Sequence, residues 1–209
     1  MKKASLVMKK LWLGKHFVTV KSLKSMCKEL DANYENLVRY LLARKYLVRV
    51  FRGVFYVKSL EEIKFGKINL GHLELVANGL RLKGVDNWYF GLYTALKLNN
   101  LTHEFFVINY VINDKLFRAK EIKIADNKFK FIKIKPSLFF GIKEKNGIKY
   151  SDLEKTILDF IYLYKYRGVP KEKILLDISE LTEKALKNKM SEYGKKYPKS
   201  VRNIIKMIK

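Results

Sequence analysis

From Thr19 to Val57 the chain reads TVKSLKSMCKELDANYENLVRYLLARKYLVRVFRGVFYV, and three patterns follow one another in it. Leu23, Met26, Cys27 and Leu30 recur at i, i+3, i+4 and i+7, the apolar face of a helix that Thr19 is placed to cap. Asp31 or Asn33 then caps another helix, on which Tyr34, Leu37, Val38, Leu41 and Leu42 form one continuous face, and the turn between the two helices is tight. Residues 47–57 hold two β-branched and aromatic runs joined at Gly53, which predicts a hairpin with Arg49 and Arg52 beside its turn. Upstream, residues 5–13 read as a short helix with Leu6, Val7 and Leu11 on one face and Gly14 at its end. Three helices followed by a short hairpin with arginines near its tip is the order of a winged helix-turn-helix.

The outward face of the third helix points to a partner. Opposite its Leu and Val stripe fall Asn36, Arg39, Tyr40 and Ala43, flanked by Asn33 and Arg44. Asn and Arg are the side chains suited to paired hydrogen bonds with adenine and guanine edges in the major groove. With Thr19 and Lys21 at the start of the preceding helix and Arg49 and Arg52 on the hairpin, they form the expected DNA-binding set. Cys27 falls on the apolar stripe and is expected in the core.

Further along, residues 59–70 carry mixed charge and a Gly, so a boundary is expected near residue 60, with a DNA-binding domain over 1–60 and a partner-binding domain over 61–209. Helical patterns cover 72–82, ended by Gly84, and 88–99. Strand patterns cover 104–112, 119–124 and 128–134, with turns at Asn113-Asp114 and Asp126-Asn127, which predicts a meander. Ser151-Asp152-Leu153-Glu154 has the spacing of a capping box and opens a helix through Tyr164, apolar on most faces and so expected at the centre of the second domain. The predicted class is therefore α+β: an N-terminal winged helix-turn-helix, then a mixed domain with a small antiparallel sheet and packed helices.

Charge sharpens the partner. The 209 residues carry a formal net charge of +24, from 44 Lys and Arg against 20 Asp and Glu. A Gln-free, Lys-rich composition also follows from extensive surface ionisation, but then Glu should rise with Lys, and it does not. A polyanion, double-stranded DNA, is the expected partner. The excess is uneven: residues 1–60 hold 14 basic and 3 acidic residues, 61–165 hold 18 and 12, and 166–209 hold 12 and 5. One cysteine cannot form an intramolecular disulfide, and it cannot build a zinc site with His16, His72 and His103 scattered as they are. The first residues lack the apolar run of a secretion signal, and no long apolar run suits a membrane span, so a cytoplasmic chain without membrane contact is expected. Asp114, Glu121 and Lys123 give a D…E-x-K pattern compatible with a metal-dependent nuclease, but so many lysines produce E-x-K by chance. Gly79, Gly84 and Gly91 match no nucleotide-binding fingerprint, and no cofactor is expected. A non-enzymatic binding protein is the expectation. The 13 Tyr and 13 Phe leave an RNA-binding module as the alternative, although most sit in apolar stripes.

Three segments carry a resemblance. LVRYLLARKYLVRVFRGVFYV (37–57), YFGLYTALKLNNLTHE (89–104) and SDLEKTILDFIYL (151–163) resemble, in order and spacing, the recognition helix and wing, the Ser-Ala-Leu helix, and the Glu-Lys-Thr-x-x-Asp segment of the AbiEi-type antitoxins. Phe55 stands where that pattern has Tyr, Thr94 replaces its Ser, and the segment after Pro170 departs from the shorter family core. The resemblance implies an antitoxin that represses its own operon at inverted repeats through the N-terminal domain. It also implies that the C-terminal domain neutralises a separately encoded nucleotidyltransferase-type toxin.

Overall fold

Thr19 and Asn33 begin the helices that the sequence assigns to them. In the computed structural model, which describes residues 2–14 and 16–208, Thr19 Oγ1 accepts the Ser22 N–H at 3.3 Å and Asn33 Oδ1 accepts the Asn36 N–H at 2.9 Å. The chain divides into two units, Met1–Asp86 with Ile124–Asp126, and Asn87–Lys123 with Asn127–Lys209.

The first unit runs α1 (Lys2–Trp12), β1 (Phe17–Thr19), α2 (Val20–Glu29), α3 (Tyr34–Ala43), β2 (Leu47–Phe51), β3 (Val54–Val57), α4 (Leu60–Lys64) and α5 (His72–Leu82). Its sheet is antiparallel, in the order β1-β3-β2. β1 has three residues, too few to show a period-two pattern, and the sequence reading passed over it. One sheet face, with Leu47, Phe55 and Val57, closes a core with Leu23 and Cys27 of α2 and Leu37, Val38 and Leu41 of α3. From α1 that core takes Val7, Met8 and Leu11, while Leu6, expected on the same face, is 48% exposed.

The unit does not stop near residue 60. All four residues of β3 are buried, so its second face needs a cover of its own. α5 supplies it: a Cβ on Gly79 would stand 2.7 Å from both Val50 and Phe51, an approach that only glycine permits. The stretch expected to be a linker holds α4, opened by a capping box in which Ser59 Oγ accepts the Glu62 N–H at 3.1 Å and Glu62 accepts the Ser59 N–H at 2.9 Å. Glu62 also accepts the Tyr56 hydroxyl at 2.8 Å, which ties α4 to the sheet.

The second unit runs β4 (Trp88–Phe90), α6 (Leu92–Leu98), β5 (Ile108–Asn113), β6 (Ile122–Ile124), β7 (Asn127–Lys133), β8 (Ile142–Lys145), β9 (Ile148–Ser151), α7 (Leu153–Tyr166), α8 (Lys171–Glu183), α9 (Lys187–Gly194) and α10 (Lys199–Ile205). The molecule is α+β, but this sheet is mixed and six-stranded, in the order β6-β7-β5-β4-β9-β8. The meander expected over 104–134 does not form, because β5 pairs with β7 in parallel and β6 lies outside both. The helix expected over 88–99 is a buried strand followed by α6; at the junction Leu92 takes φ +52°, and a Cβ on Gly91 would meet Ile112 Cδ1 at 2.4 Å. α7 is the central helix, its Ile157, Leu158 and Ile161 at 0% exposure in a core with Tyr89, Ile112 and Ile174. Its cap differs from the expected box. Ser151 ends β9, Asp152 Oδ1 accepts the Lys155 N–H at 2.8 Å, and Glu154 turns to the Leu186 N–H at 3.1 Å.

Candidate functional site

The α2–turn–α3 segment and the β2–β3 hairpin place most of the expected DNA-binding residues on the surface of the first unit. Asn36, Arg39 and Ala43 are exposed along α3, and neither the Asn36 nor the Arg39 side chain has a protein partner among the described residues. Lys21 is exposed in the first turn of α2. Arg44 forms the C-terminal end of α3, its guanidinium 5.8 Å from the centre of the Tyr40 ring.

Four of the expected residues do less reading than their sequence positions suggest. Tyr40 is half-buried and meets Tyr46 edge to face, with ring centres 6.4 Å apart, so it supports the end of α3 rather than reaching outward. Thr19 and Asn33 spend their side-chain oxygens on helix caps. Arg49 lies within β2 opposite Phe55, its guanidinium 5.6 Å from that ring, and it acts on Tyr34 at the start of α3: burial raises the Tyr34 phenol pKa while Arg49 pulls it down. Arg52 alone is at the turn, exposed, with its carbonyl accepting Lys83 Nζ at 3.0 Å.

The sequence reading missed Lys24 and Lys28, both exposed on α2 beside Lys21, with Lys24 Nζ 5.4 Å from the Tyr34 ring centre. Their signal was the 21, 24, 28 spacing, which puts the three lysines on one side of α2. Nearby acids are quenched: Lys3 pairs with Asp31 at 2.9 Å and Lys10 with Glu29 at 2.5 Å, and the Lys3 hydrogen bond holds the Asp31 carboxyl below its usual range. The field at this face is therefore cationic, with Glu35 as the acid in the first turn of α3.

The polar residues of Glu154-Lys155-Thr156-x-x-Asp159 make no open site. Lys155 is fully buried, pairs with Asp159, and reaches the Tyr197 hydroxyl at 2.7 Å. Tyr89 and Tyr197 each donate to one Asp159 oxygen at 2.7 Å. Burial pulls the Lys155 pKa down against the attraction of Asp159, and burial then Asp159 raises both phenols well above their ordinary value. Glu154 meets Lys189 at 2.9 Å, and Asp152 meets the same Lys189 at 3.0 Å and the Tyr193 hydroxyl at 3.2 Å. The cluster fastens α7 to β4, α9 and the turn before α10, and its charges are spent on one another.

Asp114 accepts from Asn87 Nδ2 at 2.8 Å, Glu121 is exposed, and no group of three or more metal-ligating side chains occurs among the described residues. No described helix is long and apolar enough to cross a membrane.

These features define an α+β protein with a small antiparallel sheet and a larger mixed sheet, and a cationic helix face on the first unit. No family model matches the sequence, and no curated protein matches it. The crystal structure of the RV2827C protein from Mycobacterium tuberculosis is similar over 100% of this chain and 76% of that chain, with a TM-score of 0.61 at 12% sequence identity. At that identity the likeness is one of fold.

Proposed function

We propose that this protein is a DNA-binding transcriptional regulator whose first unit works as a winged helix-turn-helix. α3 enters the major groove with Asn36 and Arg39 toward base edges, while Lys21, Lys24, Arg44 and Arg52 meet phosphates. The observation that carries this reading is the pair Asn36 and Arg39, one helical turn apart on an exposed face and without protein partners among the described residues, near Glu29 and Asp31, which pair with Lys10 and Lys3 of α1. The test is anisotropy titration of the full chain with duplexes from upstream of its own gene and with random duplex, across a salt series. Tighter binding to the upstream duplex supports the reading; equal binding to both limits the protein to phosphate contacts.

The second unit, on this proposal, holds a protein partner. The resemblance to AbiEi-type antitoxins supports a nucleotidyltransferase-type toxin in that role, with an operator of inverted repeats for the first unit. Co-expression with a nucleotidyltransferase encoded next to this gene should relieve growth arrest and yield a co-purifying pair. Persistent arrest and no pair would leave a regulator without antitoxin activity.

A further inference from the structure

A groove of about 710 Å³ in the second unit runs along β7 and the last turn of α7. β6 has three residues against seven in β7 and joins it through Ala125-Asp126, so it covers only the first half of the outer β7 edge. Residues 130–135 line the groove, Lys130 being held by the Ala119 carbonyl, and with Lys133, Lys135 and Arg167 the lining includes, among the described residues, no Asp or Glu. Two aromatic rings stand open beside these cations, with Tyr166 84% and Phe117 64% exposed. The C-terminal carbonyls of α7 do not oppose an anion there. Those of Leu163, Tyr164 and Lys165 accept N–H groups from Arg167, Gly168 and Val169, and the Arg167 charge offsets the helix end.

Lysines by themselves would serve to guard a strand edge against pairing with another chain. They do not account for two exposed rings in a groove without acids. Aromatic faces flanked by Lys and Arg are the chemistry that takes an unpaired base and its phosphate, as in single-strand-binding channels. We propose that this groove binds single-stranded nucleic acid, with bases stacked on Tyr166 and Phe117 and phosphates on Lys133, Lys135 and Arg167. The groove belongs to the second unit and α3 to the first, and the proposal does not rest on the duplex-binding reading.

The experiment is anisotropy of the full chain with labelled oligo-U and oligo-dT of about 12 nucleotides, with each variant's melting curve recorded to show that it folds. Tyr166→Ala should weaken strand binding roughly tenfold, and Lys133→Glu with Lys135→Glu should weaken it further and flatten its salt dependence. Tyr166→Trp should retain affinity, with its indole fluorescence quenched as the strand binds. Arg39→Ala should leave strand affinity unchanged. Preference for oligo-U or for oligo-dT assigns the strand as RNA or DNA, and either supports the proposal. Four results overturn it: unchanged affinity in Tyr166→Ala; equal displacement by poly-glutamate, which would mark an acidic-peptide surface; displacement by mononucleotide at stoichiometric concentration; or self-association of the lysine variant with strand binding intact.

Discussion

Lys155→Met asks whether the buried cluster around α7 is a structural fastening. Lys155 and Asp159 are 0% and 1% exposed, so removing the ammonium strands a carboxylate away from water. Breaking a buried ion pair from one side costs about 3–5 kcal/mol. Here Tyr89 and Tyr197 continue to donate to Asp159, one to each oxygen at 2.7 Å. Hydrogen bonds to a charged group are worth about 1.5–3 kcal/mol each, which places the loss near the low end, about 3 kcal/mol. In a unit of this size that is a fall in melting temperature of roughly 10–15 °C. The chain has two Trp, and they fall in different units: Trp88 is 4% exposed in the second, and Trp12→Phe removes the other indole. Fluorescence melting in that background therefore reports the second unit. Lys155→Met with Asp159→Leu should cost no more than the single change, because no charge is left buried and only the two phenols lose an acceptor. A loss below about 1 kcal/mol for Lys155→Met would refute the ion-pair reasoning. Loss of DNA affinity with an unchanged melt would refute the assignment of the cluster to stability.

Asn36→Ala or Arg39→Ala should each cost about 1–3 kcal/mol on the upstream duplex and much less on random DNA; equal losses would confine them to phosphates. Removing both Arg49 and Arg52 should lower the slope of log affinity against log salt by about 1–2, with Arg52 giving most of it because Arg49 is engaged with Phe55. Burial works against the Glu154 carboxylate, but Lys189 and the Leu186 N–H outweigh it and its folded pKa is lowered. Its stabilisation is thus complete above the unfolded value of about 4.3 and lost as pH falls through the folded one. The melting temperature of the second unit should drop below about pH 4.5, and Glu154→Gln should flatten that limb, as a pH series of melts will show. A fragment of residues 1–60 should fail to melt cooperatively, because Val50 and Phe51 lose the α5 cover, whereas 1–86 should melt as a unit by circular dichroism. Equal cooperativity in both would mean that α5 adds nothing to the sheet.

The helices of the first unit were legible because each declares a stripe and a cap: Leu23 and Cys27 behind Thr19, Leu37 and Leu41 behind Asn33. Exposure of Asn36 and Arg39 followed from the same periodicity. Tyr40 was misplaced because angle alone cannot tell an outward ring from one that folds back on Tyr46. The box at Ser59 and Glu62 had the right spacing but sat among charges that read as a linker, while the box expected at Ser151 lost Glu154 to Lys189, 35 positions later. β4 was hidden because Trp88-Tyr89-Phe90 is buried on every side and shows no alternation, and the β5–β7 pairing because parallel partners leave no turn between them to read.

The contact from Tyr89 through Asp159 to Tyr197 also sets a schedule. The main segment of the first unit is complete at Asp86, and Tyr197 leaves the ribosome more than a hundred residues later. At about 5–20 residues per second, translation needs roughly 6–20 s to cover that distance. Through that interval the first unit can already fold on a nascent chain whose second half has yet to close, so under the proposed function the DNA-binding half would be available before the half proposed to hold a partner.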